Sequence, residues 1–258
     1  MNSPLKWHGG KYYLAPWIVS NFPSQYTHYV EPYFGSGAVL LALPAGKSEC
    51  ANDLDGDVIH FFRTLAAQPD EFIRRANLMP FHEGAWNLTG QGGDDVYRAL
   101  AFFVRIRQSY QGLGKTFAAR SRSRTRGGRN EQVNAWMNAV DSLLPVATRL
   151  LDVCWLSQEA REVIRAEDSP HTLFYLDPPY HPSTRTVTDA YAHEMTHEQH
   201  ADLLRTILLC KGKVCISGYR CELYDTMLAG WRRIDRRIDN KSGKTHEMRT
   251  ESVWCNYV

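Results

Sequence analysis

At 258 residues, with a formal net charge of +2 and a pI near 8.2, the chain is long enough for one large domain, or one domain with a sizeable insertion, and its overall charge selects no class of partner. Cys50, Cys154, Cys210, Cys215, Cys221 and Cys255 show none of the close paired spacings of zinc or redox motifs, so reduced, mainly buried thiols are expected and a disulfide framework is not. No apolar run could span a membrane and the opening residues lack a signal-peptide core; the expectation is a cytoplasmic protein, within a host cell if phage- or plasmid-borne, with no membrane association.

Lys6-Trp7-His8-Gly9-Gly10-Lys11 sets two glycines between an aromatic ring and a lysine, a tight bend that lets other groups approach the backbone. Tyr29-Val30-Glu31-Pro32-Tyr33-Phe34-Gly35-Ser36-Gly37 then runs into Ala38-Val39-Leu40-Leu41-Ala42-Leu43, which reads as strand, glycine turn and helix. That is the architecture of a nucleotide-cofactor site, without the dinucleotide fingerprint or a triphosphate-cradling Gly-Lys-Ser/Thr. Cys50-Ala51-Asn52-Asp53-Leu54-Asp55 places an acid after a short strand, where it either binds ribose hydroxyls or caps the next helix. Together the two segments favour an adenosine-type ligand without phosphates.

From about residue 61 the alternation of strand and helix signals stops. Between Asp95 and Glu131 no acid occurs, while Arg98, Arg105, Arg107, Lys115, Arg120, Arg122, Arg124, Arg126 and Arg129 do. Residues 96–109 read as helix, Tyr110-Gln111-Gly112-Leu113-Gly114 as a hairpin turn, and Ser121-Arg122-Ser123-Arg124-Thr125-Arg126-Gly127-Gly128 as a mobile loop. Arginines alternating with hydroxyl residues after an aromatic and amide turn suit phosphate contact and base-edge reading, so nucleic-acid binding is favoured over a solvated surface. Helical periodicity returns over 131–151 despite Pro145, followed by a strand at 153–156 and a helix start at 158–164.

Thr172-Leu173-Phe174-Tyr175-Leu176 is a buried strand that ends in Asp177-Pro178-Pro179-Tyr180. Two prolines forbid both further strand pairing and a helix start, so the chain stops in a rigid turn. At the carboxyl edge of a parallel sheet that turn would face a ligand crevice. Downstream, His193-Glu194-Met195-Thr196-His197 mimics a zinc-protease pattern, which needs both histidines on one helical face. Thr196-His197-Glu198-Gln199 is instead a capping box ahead of the apolar face Ala201, Leu204, Ile207 and Leu208, leaving His193 outside the helix, so no metal site is expected. A strand and turn at 213–219 and closing strands at 231–238 and 250–258 complete the sheet, with Asn240-Lys241-Ser242-Gly243-Lys244 as a basic loop that either touches phosphate or is plain surface.

In this order the motifs, with Asn52-Asp53 and the terminal Thr250-Glu251-Ser252-Val253-Trp254, resemble the Dam-like (D12) class of DNA adenine-N6 methyltransferases across essentially the whole chain. The resemblance implies an α/β fold, a Rossmann-like S-adenosylmethionine methyltransferase sheet, with an inserted, mainly helical target-recognition region carrying a β-hairpin. Residues 1–61 and 147–258 would form the catalytic domain and 62–146 the DNA-binding insertion. It further implies S-adenosylmethionine as cofactor, with Trp7, Lys11, Glu31, Pro32, Phe34, Gly35, Ser36, Gly37, Asp53, Glu159 and Asp177 at its site and Asp53 on the ribose. Double-stranded DNA is the implied partner, met by Tyr110, Gln111, Leu113, Lys115, Arg120, Arg122, Arg124 and Arg126, with the enzyme acting as a monomer or as a dimer on DNA. Gln111 stands where the family commonly has asparagine, and Glu159-Ala160 where it often has an aspartate followed by an aromatic or small residue.

Asp177, Pro178, Pro179 and Tyr180 are the expected catalytic set. Adenine N6 is a poor nucleophile because its lone pair is delocalised into the ring. The Asp177 carboxylate and Pro178 carbonyl can accept its two hydrogens and aim that pair, while Tyr180 stacks on the base. Flipping the nucleotide out costs a few kcal/mol, which stacking of about 1–3 kcal/mol per base largely offsets. RNA adenine-N6 methylation and a catalytically silent DNA-binding regulator are the alternatives.

Overall fold

The computed structural model describes the chain except residues 89, 119–122, 186–192 and 240–247. In chain order its helices are α1 (Ala15–Ser20), α2 (Gly56–Ala67), α3 (Pro69–Leu78), α4 (Glu83–Trp86), α5 (Asp95–Arg107), α6 (Glu131–Asp141), α7 (Leu143–Arg149), α8 (Ala160–Glu167), α9 (His197–Leu208) and α10 (Glu222–Met227). The strands are β1 (His28–Glu31), β2 (Ser48–Asn52), β3 (Thr125–Arg126), β4 (Arg129–Asn130), β5 (Val153–Leu156), β6 (Thr172–Leu176), β7 (Lys213–Gly218), β8 (Arg232–Asp239) and β9 (Met248–Cys255).

The main sheet runs β5-β2-β1-β6-β7-β9-β8. Pairing is parallel from β2 through β1 and β6 to β7, and antiparallel from β7 through β9 to β8. Every residue of β6 is buried, as a central parallel strand covered on both faces requires. Strand order reverses between β1 and β6: β1 is flanked by its successor β2 on one side and by the much later β6 on the other. Such a switch point opens a crevice at the carboxyl ends of the two strands, the usual ligand position in a doubly wound α/β sheet. The motifs at 31–37 and 177–180 each follow one of those two strands.

By compactness the chain divides into two units. One comprises Met1–Val19, Gly35–Ala45 and Asp55–Trp155; the other comprises Ser20–Phe34, Gly46–Leu54 and Leu156–Val258. In the latter, Val30, Phe174, Leu176, Val214, Ile216 and Trp254 from the strands pack with Val163, Ile164, Leu203, Leu204 and Ile207 from α8 and α9. Thr196 and Gln199 form the expected capping box of α9, with His193 ahead of the helix. A cap contributes about 1 kcal/mol, whereas each fully buried leucine or isoleucine contributes roughly 1.5–3 kcal/mol, so burial holds the helix and the cap sets where it starts. The buried face includes Leu203, while Leu208 is 43% exposed; the apolar face is rotated from the one expected.

In the other unit, Phe61, Phe72, Phe103 and Trp136 form the centre of a helical core, with Phe61 and Phe103 stacked at 5.4 Å and the Phe103 and Trp136 rings tilted at 5.1 Å. The Trp136 indole N–H donates to the Met79 carbonyl at 2.9 Å. The helical stretch expected over 131–151 is two helices broken at Ser142, and Pro145 lies in the first turn of α7, where no intrahelical N–H bond is lost.

Further expectations are corrected. The apolar run after the glycine turn is not a helix but a single 3-10 turn, Leu40–Ala42; Leu43 is already extended because Pro44 follows it. Part of the expected loop at 121–128 is a hairpin, β3 and β4 joined through Gly127-Gly128, a dipeptide suited to a two-residue turn. Arg120, Arg122 and the basic segment 240–244 lie outside the described residues. All six thiols are free, but only Cys50, Cys215 and Cys255 are buried, and Cys154 is exposed. Among the described residues, no helix is long and apolar enough to cross a membrane.

Candidate active site

β6 and β7 end side by side, and their last residues build the core of the site. Ser217, fully buried, donates from Oγ to Asp177 Oδ1 at 2.9 Å, with the Leu176 carbonyl at 3.3 Å. Tyr175 Oη lies 3.0 Å from the same Ser217 Oγ. Since the serine has one proton and directs it at the carboxylate side, the tyrosine is the donor to it. Burial, and then the negative charge of Asp177, hold the Tyr175 hydroxyl well above the usual phenol range, so it keeps its proton. The result is a Tyr175 to Ser217 to Asp177 relay that fixes the carboxylate at the strand end.

Asp177 is half-buried, Pro178 buried and Pro179 half-buried. Tyr180 is 9% exposed and its hydroxyl donates to the Glu251 carboxylate on β9, itself 2% exposed. The Tyr219 ring meets the Tyr180 ring edge-on at 4.5 Å and 66°. Ser217, Tyr175, Tyr219 and Glu251 escaped the sequence reading as site residues. Neither Glu251, which stands among Arg249, Thr250 and Ser252, nor a serine before Gly218 carries a distinguishing local signal.

At the ends of β1 and β2, Glu31 is buried and its carboxylate accepts the Tyr29 hydroxyl at 2.8 Å. Asn52 is a strut: its Nδ2 donates to the Pro32 and Gln158 carbonyls at 2.9 and 3.1 Å, and its Oδ1 accepts the Gln158 N–H at 2.9 Å. The Phe34 N–H donates to the Asn52 carbonyl at 2.9 Å. Of the two acids at 53–55, Asp55 is the N-cap of α2, while the half-buried Asp53 sits at the strand end with its N–H on the Leu156 carbonyl at 3.4 Å. Glu159 caps α8, accepting from the Arg161 and Glu162 amides, and pairs with the Arg161 side chain at 3.0 Å. Burial, with the charge of Glu159 next, holds the nearby Tyr33 hydroxyl above its usual range.

In the other unit, the Gly10 N–H donates to the Trp7 carbonyl at 3.1 Å, closing the N-terminal bend. Lys11 is 4% exposed and its Nζ donates to the Gly9 carbonyl at 3.2 Å. Gly35 has φ +50, and a Cβ there would meet the Trp7 Nε1 at 2.9 Å. The glycine thus allows a left-handed turn and an indole lying against the backbone. Ser36 and Gly37 follow it, both buried.

The turn after α5 is pinned from beneath. Ser109 is buried, accepts the Gly114 N–H at 2.9 Å, and bridges to Phe117 across the turn. Lys6 Nζ donates to the Ser109 carbonyl at 3.2 Å; burial and then Arg107 lower its pKa. Gly112 has φ +75, and a Cβ there would stand 1.8 Å from the Lys6 carbonyl oxygen. Gln111 has φ 53, the one positive φ among the described non-glycine residues. Strained backbone of that kind is concentrated at functional positions. Tyr110 is 54% exposed at the tip, Leu113 is half-buried and Lys115 exposed. Arg124 and Arg126 are exposed on the separate β3/β4 hairpin.

His181 follows the motif directly, its Nε2 3.0 Å from His197 Nδ1 and its ring 5.2 Å from His200. His200 is fully buried with Nδ1 3.0 Å from the Tyr224 hydroxyl, and burial, then the neighbouring His181, Arg185 and His197, push its pKa down to about 4.

Residues 7–236 match the family described as D12 class N6 adenine-specific DNA methyltransferase. A DNA adenine methylase of Vibrio cholerae is 26% identical over 196 residues, 70% of this chain and 66% of that protein. The Type II methyltransferase M1.LlaDCHI of Lactococcus lactis is 24% identical over 200 residues, 73% of this chain and 69% of that protein. The DNA adenine methylase of Escherichia coli is 26% identical over 209 residues, 77% of this chain and 73% of that protein. A solved SAM-dependent methyltransferase from Agrobacterium tumefaciens superposes with a TM-score of 0.41 at 12% identity, over 96% of this chain and 62% of that one, too loosely to bear on the fold.

Proposed function

The chain belongs to the D12 class of N6 adenine-specific DNA methyltransferases, and from that premise we propose that it methylates N6 of a flipped-out adenine at a specific site in double-stranded DNA. The observation that carries the reading is Asp177-Pro178-Pro179-Tyr180 at the carboxyl end of β6, beside the switch point, with the carboxylate held by Ser217. S-adenosylmethionine supplies the sulfonium methyl. The residues present suit it: Asp53 is an acid directly after β2, a position that suits a ribose diol, and Glu31 is a buried carboxyl group at the end of β1 that suits an ammonium. Trp7, Lys11, Pro32, Phe34, Gly35, Ser36 and Gly37 are assigned to the same ligand. Glu159 is spent on capping α8 and pairing Arg161, so its part is that of a wall beside the ligand.

The Asp177 carboxylate and the Pro178 carbonyl accept the two N6 hydrogens and direct the lone pair toward the methyl. A neutral amine attacking a cation disperses charge, so alignment matters more than a strong base, and the departing proton passes to Asp177 or to water. Tyr180, anchored through its hydroxyl and flanked by Tyr219, meets the base. Residues 62–146 serve as the target-recognition region, with Tyr110, Gln111 and Leu113 reading bases and Lys115, Arg124 and Arg126 on phosphates. The protein works inside the cell as a monomer, without a metal.

The test is transfer of labelled methyl from S-adenosylmethionine to unmethylated DNA, with RNA as a parallel substrate, followed by sequencing for N6-methyladenine. Wild type is expected to label DNA and not RNA. Asp177→Ala should abolish transfer while retaining DNA binding; near-normal turnover in that variant would overturn the assignment.

A further inference from the structure

A second cationic feature stands in the unit that carries Asp177, well outside the segment that the sequence assigns to DNA. A cavity of about 470 Å³ opens between the turn after Tyr180, the end of β7 and the start of β9. Ser183, Thr184, Tyr219, Arg220, Arg249 and Thr250 are among the residues that line it. Three strand-edge segments from distant parts of the chain converge here on the same sheet edge as the catalytic turn.

We propose that this cavity is a phosphodiester site, holding a backbone phosphate of the DNA strand whose adenine is presented to Asp177. The inference rests on the methyltransferase reading and extends it to a contact that reading does not contain. Planar guanidinium forks match phosphate oxygens in geometry and charge, with Thr250 beside them, while the Ser183 and Thr184 hydroxyls are engaged with His181. The location selects DNA as the source of the phosphate: Tyr219, which lines the cavity, touches the Tyr180 ring at 4.5 Å. A strand whose base reaches Tyr180 must pass its sugar and phosphate alongside, and the cavity has room for both. The Arg249 guanidinium lies 5.8 Å from the centre of the Tyr219 ring, so cation, ring and catalytic tyrosine form one continuous surface. Arg237, exposed on β8 and paired in register with Thr250, extends the cationic rim. The acids do not cancel this. Asp225 is ion-paired with Arg220 at 2.9 Å, and Glu222, which also borders the cavity, is one carboxylate against Arg249 and the rim cation Arg237. Because Arg220 is already paired, Arg249 is the residue on which the proposal is tested.

The experiment measures binding of fluorescently labelled duplex DNA by anisotropy over a range of potassium chloride concentrations, for wild type, Arg249→Ala and Arg249→Lys. Loss of one phosphate contact should weaken binding on the order of tenfold and reduce the slope of log affinity against log salt by about 1. Arg249→Lys should restore the slope while recovering only part of the affinity, since lysine keeps the charge and loses the fork. A structural role for Arg249 would lower affinity without moving the slope and without rescue by lysine, and that result, or an unchanged slope in Arg249→Ala, overturns the proposal. Methyl transfer by wild type is read separately. If wild type methylates DNA while the Arg249→Ala slope is unchanged, only the phosphate site fails; if the slope shifts but no methyl is transferred, only the catalytic reading fails. Wild type that binds no DNA refutes both.

Discussion

Ser217→Ala tests whether the buried relay beneath Asp177 serves catalysis or merely packing. The substitution removes a donor 2.9 Å from Asp177 Oδ1 and an acceptor 3.0 Å from the Tyr175 hydroxyl. Two separate effects follow. A hydrogen bond to a charged group contributes about 1.5–3 kcal/mol; if that energy is expressed as alignment of the carboxylate in the transition state, kcat falls roughly tenfold to a hundredfold. Independently, Tyr175 is 1% exposed, and a buried hydroxyl that loses its acceptor costs about 1–3 kcal/mol of stability. The assay is single-turnover methyl transfer at saturating cofactor and DNA, paired with urea unfolding. The double variant Tyr175→Phe with Ser217→Ala separates the effects, because removing both partners leaves no stranded hydroxyl. Stability should return toward wild type while kcat stays low. An unchanged kcat in Ser217→Ala, or kcat recovering along with stability in the double variant, would refute the positioning role.

Arg124 and Arg126 are exposed on the β3/β4 hairpin, and Arg124 meets Glu131 only at 3.7 Å; replacing both by alanine should reduce the salt slope of DNA binding by about 2, and an unaltered slope returns the hairpin to plain surface. Gly35→Ala forces a side chain into a left-handed position at a cost of about 1–2 kcal/mol and presses on the Trp7 indole. Calorimetry should show weaker S-adenosylmethionine binding, and wild-type affinity would remove Trp7 from the cofactor site. His200 carries the pH prediction. Its folded pKa of about 4 lies below the ordinary 6.5, so the unfolded chain binds the proton more readily. Its contribution is therefore fully present above about pH 6.5 and is lost as pH falls toward 4, by up to about 3 kcal/mol. Urea unfolding of wild type and His200→Gln across this range should give a difference curve that shrinks on acidification; parallel curves would show that His200 does not titrate this way.

The strands at 172–176 and 213–218 were legible because an unbroken apolar run flanked by breakers has few other solutions, and the Thr196 cap because its partners lie within four residues. The misreadings have local causes as well. The run after Gly37 has helical composition, but Pro44 forbids the helical conformation at Leu43 and leaves only a 3-10 turn. The alternation of arginine with serine and threonine concealed a hairpin whose turn residues, Gly127-Gly128, were in plain view. On α9, burial of Leu203 rather than Leu208 depends on which flank the sheet and α10 cover, and periodicity alone is silent on that.

By itself the sequence determined the chemical inventory: an acid and two prolines ending a buried strand, a glycine turn after another, a cationic segment without acids, and the caps that start the helices. These are short-range matters, decided by the conformations that proline and glycine allow and by side chains reaching their own backbone. Only the tertiary structure decided which groups serve that inventory. Asp177 meets Ser217 across 40 residues and Tyr180 meets Glu251 across 71, because the order β6-β7-β9 places those strand ends together. Partners across a sheet depend on strand order and register, where a slip of one residue turns every side chain to the opposite face. No local pattern around Ser217 or Glu251 encodes that choice.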